Sequence, residues 1–443
     1  MNLDRPQAEG IRLFRQSKNL TPIIIATSLV NGMEVYNITV FGLFANIIGK
    51  QFFPATNPLT SLLFAVGTFG FGFLMRPLGA LLIGAFADRV GRRAALTLTI
   101  WLTAIGTGTI AFCPGFSTIG IAAPIILILG RSLEGIAAGG ELGTAASYAV
   151  ETSVRAHRGW ISGWQLSGQA AAALFGACLG VYLSSSYSPI APEPWGWRIP
   201  FVIGLLIVPL GMAIKTMLPE QSMRPSSNAG TPGPSNRLSG PIATLFSRHG
   251  KTIILITMLM AGRSVVFAIM VYFMPSYLSQ IVHLPPMTSF IASAFSAALL
   301  VILSPLTGWL VDRARNLQRL NVVATGLVAL FVYPVFSVAT HHTSFGVLLA
   351  AIGIICAVQA LSAPASNVLM LSVFPKRVRV SGFAFSYGIG VTIFGSTAQF
   401  IVTWLIGRTG NPMAPAWYLL LACLLSFVAA LCLKPLPPDE GAD

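Results

Sequence analysis

The sequence predicts an all-α membrane protein, with twelve transmembrane helices arranged as two six-helix halves. Three observations predict it. Only 9% of the 443 residues are charged and 54% are hydrophobic, whereas a soluble chain carries about 25% charged residues. Apolar runs of about twenty residues recur along the whole length, each long enough to cross a hydrocarbon core of about 30 Å. The pattern G-x-x-x-D-R occurs twice, at Gly84, Asp88 and Arg89 and again at Gly308, Asp312 and Arg313. Continuous apolar runs imply helices, because lipid satisfies no open backbone group and barrel strands would alternate in polarity. A water-soluble enzyme is excluded.

Hydropathy places the spans near residues 20–45, 60–86, 94–113, 120–148, 160–185, 199–217, 252–277, 287–311, 320–340, 345–373, 381–406 and 415–434. They are numbered 1 to 12 below. With the N-terminus in the cytoplasm, 21 of the 27 Lys and Arg residues fall in inner segments, and the outer loops keep Lys50, Arg198 and Arg408. That asymmetry sets the topology, with both termini cytoplasmic in a cell inner (plasma) membrane. The formal charge of +14 then reads as contact with anionic headgroups; no nucleic-acid partner is expected. The segment PEQSMRPSSNAGTPGPSNRLSGP after span 6 is too polar to pack and reads as a flexible linker. The expected division is residues 1–218 for the first half, 219–248 for a cytoplasmic linker and 249–443 for the second half. The N-terminal segment has no short apolar core with a small-residue cleavage site, so no signal peptide is expected. The five cysteines all fall in apolar runs and read as reduced thiols.

Motifs in order then give a resemblance. GAFADRVGRR lies between spans 2 and 3, GRSLEGIAAGGE in span 4, WGWRIPF at the start of span 6 and LPE at its end. With these, nearly the whole chain resembles the major facilitator superfamily. FGFLMRPLGALLIG and the doubled glycines before Glu141 are similar to the metabolite:proton symporter family, which carries carboxylates, shikimate or betaine-type solutes. NGMEVYNITVFGLFANIIGKQFFP and SGWQLSGQ are similar to segments of citrate and tricarballylate carriers. The resemblance implies alternating access between two halves around a central site. One position departs from the family pattern: Asn37 stands where the first span usually has a carboxylate, three residues after the glutamate matching Glu34.

Ionisable groups inside a membrane need a reason to be there. Three acids (Glu34, Glu134, Glu141) and three bases (Arg76, Arg131, Arg263) lie within spans. Equal numbers allow three ion pairs, or an anion site plus a proton-accepting carboxylate. Arg263 lies about twelve residues past Lys251, roughly 18 Å into the bilayer at 1.5 Å per residue. Spans 7 to 12 contain no acid, so Arg263 suits a substrate carboxylate, a pair across the halves, or a snorkelling side chain. Glu134 follows Arg131 by three, which allows an internal pair; the resemblance offers instead an arginine that senses a glutamate's protonation. Glu34 shares a stripe with Asn31 and Asn37 and suits either proton uptake or helix-to-helix bonding. Arg76 suits cargo contact or a pair with Glu34 or Glu141. Gln165, Gln169, Tyr272, Gln359, Asn367, Tyr387 and Gln399 add polar groups that either contact a solute or bond neighbouring helices.

The loop residues Gly84, Asp88, Arg89, Gly91, Arg92 and Arg93, with Gly308, Asp312 and Arg313, read as an inner gate. An aspartate there bonds helix N-terminal amides or a facing arginine. The five histidines lie in loops without metal-ligand spacing, and no phosphate-binding G-x-x-x-x-G-K-[ST] loop is present, so ATP-driven transport is not expected. The expectation is a monomeric secondary transporter importing a small di- or tricarboxylate with protons. No cofactor is expected beyond the proton as coupling ion. The expected cargo contacts are Arg263, Arg131, Arg76, Gln165, Gln169, Tyr272, Asn37 and Tyr387, and the proton-coupling residues Glu34, Glu141 and Glu134. A betaine- or proline-like osmolyte or a shikimate-type solute is the alternative cargo, and a non-transporting solute sensor a further one.

Overall fold

A computed structural model describes residues 32, 35–90, 92–152, 158–186, 195–206, 208, 209, 212, 239–341, 344–375 and 379–434, without the side chains of 87–89, 92, 93, 96, 141–152, 186, 239–248, 379–381 and 384. The described residues are helical, and nine of their helices are long and apolar enough to cross a membrane. This is the all-α membrane fold expected, and its helices agree with a twelve-span plan.

Span 2 is Pro58–Phe86, span 3 Arg92–Phe112, span 4 Ala122–Thr152 and span 5 Arg158–Ser186. Spans 8, 9, 10 and 12 are Pro286–Asp312, Leu317–Thr340, Phe345–Val373 and Ala414–Cys432. Spans 1 and 6 are described in part; span 6 opens with a tight turn at Gly196–Arg198 leading into Ile199–Gly204. The helix of span 7 begins at Ser239, with a break at His249. Residues 239–248 are therefore helical ahead of that break, and the membrane span itself runs His249–Gln280. Residues 219–238 lie outside the described set.

The helix ends follow from local chemistry. Asn57 accepts the Leu59 amide at 2.9 Å with Pro58 at the first helical position. Asn316 does the same for Arg319 at 2.9 Å. Both satisfy N-terminal amides that have no intrahelical partner. Span 11 ends at Gly410, whose φ of +65 suits glycine.

Interior prolines leave the carbonyl four residues back without its usual donor, and at Pro305 and Pro364 a neighbouring helix supplies one. Pro305 frees the Val301 carbonyl, which accepts the Ser167 hydroxyl of span 5 at 2.8 Å. Pro364 frees the Ala360 carbonyl, which accepts the Thr307 hydroxyl of span 8 at 2.7 Å.

Two segments depart from the α-helix: Ala268–Phe273 in span 7 and Val391–Gly395 in span 11 are π-helical turns. Such turns are frequent at functional sites. Span 5 packs along span 8, so first half meets second half along a seam. At Gly159 the Gly308 carbonyl leaves no room for a Cβ, and Gly163 lies equally tight on Ser304. Span 4 approaches span 2 the same way at Gly135, against the Gly72 carbonyl. Large apolar side chains such as Leu81, Ile121 and Leu330 point outward, as a lipid-facing surface requires.

Gly135→Ala places a methyl against backbone, so it is expected to lower stability by about 1–3 kcal/mol. Gly346→Ala, with open space around it, serves as the neutral control. Melting temperatures of the detergent-solubilised variants check the contrast.

Candidate functional site

A cavity of about 120 Å³ lies where spans 1, 2 and 5 of the first half face spans 7, 8, 10 and 11 of the second. Arg76 and Gln169 line it from one side; Arg263, Ser264, Tyr272, Gln359 and Tyr387 line it from the other. Both π-helical turns contribute, through Ala268 and Tyr272 and through Val391 and Gly395. No Asp or Glu is among the lining residues. The described wall therefore carries two guanidinium groups and no described carboxylate, a field that favours an anion.

Arg263 is 8% exposed and is held by neutral groups. Its guanidinium donates to the Asn367 side-chain oxygen on span 10 and lies 3.9 Å from the Met260 sulfur. The Tyr387 ring centre is 5.6 Å away. Gln359 donates to the Arg263 carbonyl at 3.0 Å, and its own side-chain oxygen has no hydrogen-bond partner. Among the described residues, no carboxylate stands within ion-pair distance of Arg263. Arg76 is buried too, 4.1 Å above the Phe73 ring.

Arg131, expected at the cargo site, meets Glu134 in an ion pair within span 4 and does not line the cavity. Thr107 donates to the other Glu134 oxygen at 2.6 Å, and the Phe41 ring lies 4.4 Å from the guanidinium. The i,i+3 spacing brings the two charges together before any tertiary contact forms.

Asn37 also lies away from the cavity lining, buried with its side-chain oxygen against Gly204 of span 6 and with neither amide atom bonded. Gln165 is half-buried outside the lining as well. Gln169, Tyr272 and Tyr387 do line it. Glu34 and Gly91 lie outside the described residues, as do the side chains of Glu141, Asp88, Arg89, Arg92 and Arg93.

Ser264, Ser304 and Phe73 were missed as lining residues. Serine and phenylalanine are ordinary in membrane helices, so no sequence signal marks them.

The second copy of the loop motif closes the seam. Asp312, at the end of span 8, accepts the Gly159 amide at 2.6 Å and the Trp160 amide at 2.9 Å. These are the free amides that open span 5, so an acid of one half caps a helix of the other. Arg313 stacks 3.5 Å over Trp309. Gly84 and Gly308 differ despite their shared motif: Gly308 presses on Gly159, while Gly84 has open space. At the other end of the bundle Gln280 donates to Asn46 at 2.9 Å, and Phe44 packs on Phe290 with ring centres 5.3 Å apart.

The sequence model of the Major Facilitator Superfamily matches residues 23–395. The chain belongs to that superfamily. Among similar proteins, the citrate-proton symporter of Klebsiella pneumoniae is 30% identical over 92% of this chain and 90% of its own length. The alpha-ketoglutarate permease of Escherichia coli (strain K12) is 29% identical over 93% of each. The proline/betaine transporter of the same strain is 28% identical over 94% of this chain and 83% of its own. A partially occluded, inward-open structure of the xylose transporter XylE from E. coli superposes with a TM-score of 0.73 at 14% identity, covering 94% of this chain and 97% of that one. At that identity the likeness establishes the superfamily's fold and nothing about cargo.

Breaking a buried ion pair from one side is expected to destabilise by about 3–5 kcal/mol, whereas replacing both partners with apolar residues is close to neutral. Glu134→Ala should therefore melt well below the Arg131→Met/Glu134→Leu double variant. Equal melting temperatures would show that the pair does not hold span 4.

Proposed function

We propose that this superfamily carrier, which is not an enzyme, imports a small organic anion, a di- or tricarboxylate such as citrate or tricarballylate, by proton symport with alternating access. The observation that carries the reading is Arg76 and Arg263 on one cavity between the halves, a cavity with no Asp or Glu among its lining residues. A guanidinium offers paired donors that match a carboxylate's two oxygens. Two such groups on opposite walls suit a molecule with two or more carboxylates. Gln169, Tyr272, Tyr387 and Gln359 add neutral donors and acceptors for the remaining oxygens. The names of the citrate and alpha-ketoglutarate relatives support the same class.

Electrostatics supplies the reason for protons. Each negative charge moved inward against a negative interior costs about 2.3 kcal/mol per 100 mV. Co-transported protons offset that. Glu34 and Glu141 are the acids proposed to take them up. Glu134, bonded to Arg131 and Thr107, is proposed to lock span 4.

In this reading the protein lies in the cell inner membrane as a monomer, with cytoplasmic termini and no cofactor. The two halves are joined through residues 219–248, and the Asp312 contact lies at the inner face. Asp88, Arg89, Gly91, Arg92 and Arg93 are proposed to work at the same face.

An osmolyte of the betaine or proline type is the second reading. The aromatic side of the cavity favours it, with Phe267 and Tyr272 edge to face at 5.3 Å, since rings hold quaternary ammonium groups. Two cavity arginines weigh against a cationic head.

Arg263→Ala is expected to abolish carboxylate uptake into vesicles while the protein stays folded; normal uptake would remove Arg263 from the site. Heat protection by citrate but not betaine separates the two cargo classes. For the proton, Glu34→Gln should make uptake indifferent to the pH gradient while exchange persists, and unchanged pH dependence moves that role to Glu141.

A further inference from the structure

Arg263 and Ser162 sit in different halves of the bundle, and Asn367 bonds both. The guanidinium donates to the Asn367 side-chain oxygen, and the Asn367 nitrogen donates to the Ser162 hydroxyl of span 5 at 2.7 Å. The amide's orientation follows from its neighbours. A guanidinium has donors and no acceptor, so it can face only the amide oxygen, and the amide nitrogen must then face the serine. All three residues are buried. Arg263 alone lines the cavity; Asn367 and Ser162 stand behind it.

We infer that Asn367 is a positioning residue that makes occupancy of the Arg263 site and closure of the seam at Ser162 compete with each other. The inference deepens the carboxylate reading and rests on it. In the empty carrier, the full cationic charge on Arg263 polarises the amide and strengthens its N–H as a donor to Ser162, because bonds in a chain reinforce one another in a low-dielectric interior. A carboxylate at Arg263 neutralises that charge. It also competes for the guanidinium donors through a charge-assisted bond about twice as strong as one to a neutral amide oxygen. Either effect weakens the Asn367 to Ser162 bond, which crosses from one half to the other. Binding at the cavity thus loosens the same seam that Asp312 and Ser167 also hold. Gln359 fixes the Arg263 backbone from span 10, so the guanidinium moves while its helix stays.

The test uses the full chain in detergent, with citrate as the probe. Ser162→Ala removes the crossing bond and leaves Arg263 and Asn367 in place; Ser162→Thr keeps a hydroxyl and serves as the rescue. Citrate affinity is read by calorimetry. Spin labels at positions 90 and 310, both exposed near the motif-bearing ends of spans 2 and 8, read the separation of the halves. Ser162→Ala is expected to bind citrate about three- to tenfold more tightly, the equivalent of one hydrogen bond no longer broken on binding. The empty variant should already show the label distances that the unsubstituted protein shows only with citrate, and Ser162→Thr should restore both. Unchanged or weaker citrate binding by Ser162→Ala, even with a lower melting temperature, overturns the inference. If the unsubstituted protein binds no carboxylate, the cargo reading fails. The label distances of the empty proteins then decide the coupling alone: broader in Ser162→Ala supports it, and identical distances overturn it.

Discussion

Lipid offers no hydrogen-bond partner, and that constraint selects where the helices of this chain touch. A backbone polar group inside the bilayer that loses its helical partner is satisfied only by another part of the protein. The prolines show it most directly. Pro305 and Pro364 each strip a carbonyl of its own helix's donor, and Ser167 and Thr307 of adjoining helices supply the missing hydroxyls. One of these bonds crosses from the first half to the second. Helix-breaking residues have become the points at which helices are stitched together.

The three intramembrane arginines meet the same constraint in three ways. Arg131 has a glutamate one turn away on its own helix and is neutralised there. Arg76 lies over an aromatic ring at the cavity wall. Arg263 is held by neutral oxygen and sulfur from its own half. Neutral partners satisfy donors without cancelling charge, so Arg263 keeps an attraction for anions that Arg131 has spent on Glu134. Burial alone does not separate the two groups; the nature of the partner does.

Much of the architecture was legible in the residues. Apolar run length placed span limits near 60, 320 and 406, and the caps at Asn57, Asn316 and Gly410 set the actual helix ends a few residues beyond them. The internal pair of Arg131 and Glu134 was legible as one of two readings because i,i+3 spacing puts both on one face. The helix that residues 239–248 form ahead of span 7 was not legible, since their Ser- and Gly-containing composition gives no long apolar run. At the site, Arg263, Arg76, Gln169, Tyr272 and Tyr387 stood out as polar groups in apolar surroundings, and all five line the cavity. Asn37 stood out by the same criterion, yet its side chain lies against Gly204 of span 6 and outside the cavity lining. A polar stripe marks a face that avoids lipid, and a helix inside a bundle has more than one such face.

By itself, the amino-acid order determined that this chain crosses a membrane many times and which charges are carried inside, because both depend on transfer free energy along a single helix. Tertiary structure alone decided which of those charges look into a shared space, and that an amide on span 10 ties an arginine of one half to a serine of the other. Those outcomes depend on the rotation of each helix about its axis. That rotation is set by close approaches such as Gly159 on Gly308, between residues far apart in the chain.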